Sequence, residues 1–316
     1  MVQVKGTAPQ TKQIRSDVIK HGFLKYWQLY LLLIPGVVLT LIFKYIPMYG
    51  VQIAFRDYNA ADGFFGSRWV GLEYFKQFFT NYNSVRMIRN TVLISLYSLL
   101  WSFPIPIILS LFINTIKNKK FQHVVQTTIY APHFISLMVI CGMIKMFLSP
   151  GGGLITTMLH GFGIPITNFL EDPSKFRTIY IASGIWQDAG WNCIIYLATL
   201  SSVDLSLHEA AMVDGASIWK RILHVDIPAL IPIIIICLIM SFGSLMSVGF
   251  EKAYLLGNDL NKPTSEIIAT YVYRQGIEKA AYSFSTAVGL FNTIVNIILL
   301  SAVNKIAKKA ADVSFI

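Results

Sequence analysis

Apolar residues in this chain gather into long runs, separated by shorter stretches where most of the charge collects. A helix needs ~20 predominantly apolar residues to cross the hydrocarbon core of a bilayer. Six runs satisfy that length: Trp27–Met48, Asn90–Ile116, Val124–Phe147, Thr178–Val203, Ala229–Phe250 and Tyr282–Asn304. The second carries no charge. Lys44 and Lys145 stand near the ends of the first and third, and Asp188 interrupts the fourth. Pro104 and Pro106 lie inside the second and predict a kink there, which a membrane helix tolerates because neighbours satisfy the freed carbonyls. The pattern predicts an all-α membrane protein of six transmembrane helices. Residues 1–26 read as a cytosolic tail rather than a cleavable signal, because the polar stretch before the first run is long and no small-residue cleavage pattern follows it. Residues 27–85 then hold the first span and an extracytoplasmic loop, 86–305 a core of five spans, and 306–316 a second cytosolic tail.

Composition agrees with the pattern. Hydrophobic residues make up 54% of the 316 and charged residues 13%, against ~25% charged in soluble proteins. Mean hydropathy is +0.57. A net charge of +10 raises a nucleic-acid reading. The Lys and Arg residues, however, lie between the runs and at the chain ends, where they meet anionic head groups, so membrane lipid is the expected partner and nucleic acid is not. Basic residues in short loops mark the cytosolic side. Lys5, Lys12, Arg15, Lys20 and Lys25, then Lys117, Lys119 and Lys120, then Lys305, Lys308 and Lys309 fall on one side of a six-span chain, which places both termini in the cytoplasm. Arg56, Arg68, Lys76 and Arg86 lie on the other side, diluted over a longer loop with Asp57, Asp62 and Glu73. Cys141, Cys193 and Cys237 fall inside apolar runs without metal-like spacing and read as small buried hydrophobes.

One connection refuses to be a span. Residues 204–228, DLSLHEAAMVDGASIWKRILHVDIP, are too polar to cross and too regular for a loose loop. Leu205, Leu207, Ala210 and Ala211 give an apolar face to a short helix, Gly215 reads as a left-handed cap, and a second helix is expected over Ile218–Val225, ended by Pro228.

Catalytic patterns fail on inspection. His208-Glu209 opens like a zinc-protease motif, but Met212 stands where the second histidine belongs. Gly151-Gly152-Gly153 has no Lys-Ser/Thr after it and no strand before it, so it is not a phosphate loop.

Glu209-Ala210-Ala211, then Gly215 after three residues, then Val225-Asp226-Ile227-Pro228 after nine more, resembles the EAA loop of type I ABC importer permeases. Val225 and Ile227 replace the usual Ile and Leu conservatively. Trp69–Phe75 resembles the outer-loop segment of sugar permeases. Ile46–Gly50, Pro132–Ser136 and Thr286–Phe291 resemble the subfamily associated with complex oligosaccharides and polysaccharides. The resemblance implies a transmembrane domain with a cytosolic coupling helix and no catalysis of its own. It implies pairing with a second homologous permease subunit, two ATPase subunits that bind ATP and Mg, and an extracytoplasmic solute-binding protein, either lipoprotein or periplasmic. It places the chain in a bacterial cell membrane. Glu209, Ala210, Ala211, Asp214, Gly215 and Ala216 would couple to the ATPase. Physically, the three alanines allow close approach of a partner, and Glu209 and Asp214 can cap helix ends or pair with basic groups.

The path of the solute is sought around Asp188, because a carboxylate in mid-span must face a cavity or a partner. Trp186, Gln187, Trp191, Asn192 and Tyr196 accompany it. Aromatic faces with amide and carboxylate groups suit a carbohydrate, while polar contacts between helices would serve structure alone. Asn292 and Asn296, one turn apart, are expected to bond between helices. A polyprenyl-linked membrane glycosyltransferase would require an acidic metal-binding pair such as Asp-x-Asp, and none occurs. A secondary transporter often shows paired broken helices in repeated halves, and no repeat is visible.

Overall fold

The structure is a computed structural model that describes residues 26–311. The basic N-terminal tail expected over residues 1–26 and the last residues of the C-terminal tail lie outside that range, apart from Tyr26. The chain divides into two units, residues 1–53 and 54–316.

In the first unit, α1 (Trp27–Thr40) continues through a π turn at Leu41–Tyr45 into a 3-10 stretch, Ile46–Phe55, that ends in the second unit. The helical run thus extends past the expected end at Met48.

The second unit opens with a two-stranded antiparallel ribbon, β1 (Arg56–Asp57) against β2 (Arg68–Trp69), with Arg56 opposite Trp69. Helix α2 (Glu73–Thr80) follows, and Tyr74 donates its hydroxyl hydrogen to Asp57 Oδ1 at 2.8 Å. Helices α3 (Tyr82–Ser102) and α4 (Pro104–Asn114) form one long run broken at Phe103, where Pro104 begins a new first turn. The kink expected from the prolines is a break between two helices, because Pro104 has no N–H to carry the ladder across it.

The expected third span, Val124–Phe147, is not one helix. Helix α5 (Lys119–Tyr130) runs into a 3-10 turn at Ala131–Phe134, and α6 (Leu137–Phe147) leaves at 94° to it. Pro132 stands in that turn, and Ser136 caps α6 by accepting from the Val139 amide at 3.5 Å. Helix α7 (Leu154–Gly161) lies in the following connection.

Helix α8 (Pro173–Ser201) is 29 residues long and begins at a well-made cap, where Asp172 accepts from the Ser174 amide at 2.8 Å. It packs against α3, α4 and α5 and occupies the middle of the unit. Gly190 allows a close approach to α5: a Cβ there would collide with the Ile129 carbonyl at its end.

Helices α9 (Leu205–Val213) and α10 (Ile218–Arg221) come next. A π turn at Ile222–Asp226 then joins α10 to α11 (Ile227–Gly243). The helix expected to stop at Pro228 therefore continues, as one run from Ile218 to Gly243. The wider turn explains it. The Ile227 amide bonds the Ile222 carbonyl five residues back, so the ladder has already opened where the proline ring would clash.

The expected fifth span also ends early, at Gly243. Phe250 belongs instead to a compact segment of three short helices: α12 (Phe250–Leu256), α13 (Lys262–Ser265) and α14 (Ile268–Tyr273). Asn261 is buried at its centre and donates to the carbonyls of Leu170 and Leu256 at 2.7 and 3.1 Å. Helix α15 (Tyr282–Ala311) closes the fold against α2, α11 and α14. Asn292 donates to the Met246 carbonyl at 3.2 Å. Asn296 accepts from the Met246 amide and donates to Ser247 Oγ, both at 2.9 Å. The two asparagines do bond across elements, to the segment after α11.

Four runs are long and apolar enough to cross a membrane: Trp27–Phe55, Tyr82–Asn114, Ile218–Gly243 and Tyr282–Lys308. The bent α5–α6 pair makes a fifth if counted as one. Helix α8 has the length of a span but carries Lys175, Arg177, Gln187, Asp188 and Asn192. Cys141 and Cys193 are buried, Cys237 is half-buried, and all three are free thiols.

Candidate solute path and coupling loop

The loop after α8 is built by local rules. Asp204 caps α9 by accepting from the Ser206 amide at 2.9 Å, and that bond holds its carboxyl below the ordinary carboxylate range. The other end closes on Gly215, whose φ of +74° is left-handed. The Gly215 amide bonds the Met212 carbonyl at 3.1 Å and the Ala216 amide bonds Ala211 at 2.8 Å, the Schellman pattern of helix termination. Space around Gly215 is open, so backbone conformation alone calls for glycine there. A Cβ would cost ~1–2 kcal/mol.

Helix α9 buries none of its residues. Glu209, Ala210, Asp214 and Gly215 are exposed, and Ala211 and Ala216 half-buried. Among the described residues neither Glu209 nor Asp214 has an ion-pair partner. Val213 is 88% exposed and Leu205 73%. The small helix thus shows apolar side chains and free carboxylates together on its exposed surface. One residue ties it inward: His208 lies 3.4 Å from Asp226, which is buried in the π turn and also accepts from Asn114 of α4 at 3.4 Å.

The six residues expected to line a path on α8 do not share one environment. Asp188 meets His133, from the 3-10 turn between α5 and α6, with Nδ1 3.0 Å from Oδ1. The His133 ring stacks on Trp191 at 4.5 Å and 7°, and Phe134 meets Trp191 edge-on at 5.6 Å. The Asp188 side chain is 46% exposed, so it faces an open surface. Gln187 is instead buried and spends its amide on the Ile135 carbonyl at 3.5 Å, holding the bend. Tyr196 is buried against Leu111, Leu200, Ile222 and Leu230, away from the others. Trp186 is exposed, and no ring contact joins it to the His133–Trp191 stack.

Asn192 turns into a cavity of about 300 Å³ between α3, α8 and α11. Ser95, Ser98 and Ser102 line it from α3, with Ser241 and Ser244 from the end of α11. Ser95 donates to the Leu245 carbonyl and Ser241 to the Cys237 carbonyl. Ser98, Ser102 and Asn192 keep their polar groups free of intramolecular bonds among the described residues. Hydroxyls and an amide inside otherwise apolar helices can exchange hydrogen bonds with a polar molecule in the cavity. The signal was present in the sequence as serines at i, i+3 and i+7 in Ser95–Ser102, one face of a helix. His133 and Lys252 were likewise not singled out. Lys252 is buried, donates from Nζ to the Tyr180 carbonyl at 2.8 Å and lies over the Tyr180 ring.

Residues 79–311 match the family of binding-protein-dependent transport system inner membrane components. The chain belongs to that family. This permease is 44% identical to protein LplB of Bacillus subtilis over 281 residues, covering 89% of this chain and 88% of the relative. It is 41% identical to the B. subtilis polygalacturonan/rhamnogalacturonan transport system permease protein YteP over 284 residues, covering 90% and 88%. Among solved structures, the permease resembles a chain of a bacterial ABC transporter involved in import of the acidic polysaccharide alginate. The TM-score is 0.85 at 37% identity, over 93% of this chain and 99% of that one. The same match is found in that transporter bound to a periplasmic protein carrying an alginate pentasaccharide. The permease is therefore a non-catalytic membrane subunit of an ABC transporter.

Proposed function

We propose that this permease forms half of the translocation path for an oligosaccharide or polysaccharide fragment and takes its driving force from a separate ATPase through residues 204–228. The observation that carries the reading is the exposed α9, with unpaired Glu209 and Asp214, set at the end of the helix that carries Asp188. Glu209, Ala210, Ala211, Asp214, Gly215 and Ala216 seat in the ATPase. ATP and Mg belong to that partner. A second, homologous permease completes the path, two ATPase subunits drive it, and an extracytoplasmic binding protein delivers the solute.

The carbohydrate reading rests on the names of the relatives and on the site's chemistry. Trp191 offers a ring face, Asp188 and Asn192 offer hydrogen bonds, and the serines of the cavity extend them. The spans are six when α8 is counted with α1, α3–α4, α5–α6, α10–α11 and α15. The core occupies 86–305, preceded by the first span and outer loop (27–85) and flanked by cytosolic tails, 1–26 and 306–316, in a bacterial cell membrane.

The test is reconstitution of the full complex in proteoliposomes. Glu209→Lys and Gly215→Pro are expected to abolish uptake while the permease still inserts. Normal uptake by either complex would sink the coupling role.

A further inference from the structure

Helices α3 and α4 together span 33 residues, or ~50 Å, against a hydrocarbon core of ~30 Å. The charge-free part begins after Arg89. The first two turns of α3 therefore stand in the head-group layer. A cavity of about 710 Å³ opens there, between the N-terminal turns of α3 and α8 and the segment at Pro263.

Three guanidinium groups line this cavity: Arg86 and Arg89 from one face of α3, and Arg177 from α8. No carboxylate lines it. The nearest acid, Glu266, is shared among Arg274 at 3.1 Å, Arg86 at 3.5 Å and Lys262 at 3.9 Å. Arg177 bonds only a neutral group, Asn90 Oδ1, at 2.9 Å. Asn90 has no more to give, because its amide is spent on the carbonyls of Pro263 and Glu266. The Nε atoms of Arg86 and Arg177 are buried without a partner, and Arg89 bears on Arg177 as a like charge. Three cations thus share one carboxylate, Arg89 and Arg177 have no ion-pair partner among the described residues, and buried donors are unmet. Such a group is costly unless an anion completes it.

The rim says which kind of anion. Tyr82, Val85, Arg86 and Arg89 share one face of α3. Tyr82 is 93% exposed, Val85 72%, and Phe79 at the end of α2 54%. An anion with an apolar body fits both the guanidinium groups and this rim.

We propose that Arg86, Arg89 and Arg177 form a binding site for the phosphate of an anionic phospholipid, in the leaflet that meets the N-terminal end of α3. Guanidinium groups donate in pairs to phosphate oxygens, while Tyr82 and Val85 lie along the glycerol and upper acyl chain. The site is separate from the serine-lined cavity and from the coupling loop.

The experiment uses the assembled transporter, in nanodiscs of phosphatidylcholine with a minor fraction of phosphatidylglycerol. Lipid retained by the complex is counted by native mass spectrometry. Phosphatidylglycerol is expected to be enriched over phosphatidylcholine. Arg89→Gln, at an exposed position that leaves the packing intact, should weaken that retention about fivefold, the effect of one basic residue near a lipid surface. Arg89→Lys should keep most of it. Equal retention by wild type and Arg89→Gln would overturn the proposal. Displacement of the lipid by soluble galacturonate, with no displacement by inorganic phosphate, would also overturn it, because the site would then belong to a solute carboxylate.

Discussion

Asp188 is a carboxylate where lipid should forbid one, and the structure gives it a partner the sequence could not. His133 is 55 positions away, and its approach depends on the turn at Pro132. Removing the carboxylate leaves His133 stacked on Trp191 but free to rotate about it. Asp188→Ala is therefore expected to weaken solute stimulation of ATP hydrolysis by an order of magnitude or more, in line with loss of a charged hydrogen bond of ~1.5–3 kcal/mol. ATPase subunits should still co-purify at wild-type stoichiometry. Loss of the ATPase with solute response intact would remove Asp188 from the path. Residue types alone served well where the chemistry is local. The left-handed Gly215 and the bonding of Asn292 and Asn296 to another part of the chain could each be read from a few neighbouring letters. Gln187 and Tyr196 could not be separated from Asp188 that way. A helix turns 100° per residue, and which face meets the core depends on neighbours distant in sequence.

At the scale of elements, the long apolar runs were legible and their irregularities were not. Proline marks a break but does not say what the chain does there. Pro104 starts a new helix, Pro132 sits in a right-angle bend, and Pro228 is carried through on a π turn. The segment 244–281 reads as a loop because no run in it is long enough to be a span, yet it folds around Asn261. Helix α8 approaches α5 at backbone distance, and glycine permits it. Gly190→Leu should abolish recovery of folded permease, because the side chain meets the backbone of Ile129 rather than a flexible neighbour. Overpacking of this kind costs ~1–3 kcal/mol or more. Gly289→Leu is the control, since nothing stands within 4 Å of the added atom. Comparable detergent-extracted yields and melting temperatures for the two variants would show that the α5–α8 contact is dispensable.

For the whole molecule, polar groups in apolar surroundings collect in a few places: the His133–Asp188 pair, the serine-lined cavity and the arginine cluster at the membrane surface. The cavity is where bulk should matter most to transport. Ser98→Trp puts an indole ring into a cavity of about 300 Å³ and takes up much of its space. Uptake by reconstituted complexes is expected to fall at least tenfold while the subunits still assemble. Uptake at the wild-type rate would place the path elsewhere.

The two sides of residues 204–228 differ in stiffness. Upstream, α8 is an uninterrupted 29-residue rod, ~44 Å long, joined to α9 through a short turn at 202–204. Downstream, the chain enters the bilayer through a π turn, where the ladder is already loosened. In the proposed coupling, a push on α9 meets a strut on one side and a compliant joint on the other. The strut passes displacement toward Trp191 and Asp188 with little slack, and the joint lets α11 swing about Asp226 without unfolding. The stroke of the ATPase is thereby split into an axial thrust and a pivot, and the one carboxylate shared by His208 and Asn114 stands at the fulcrum.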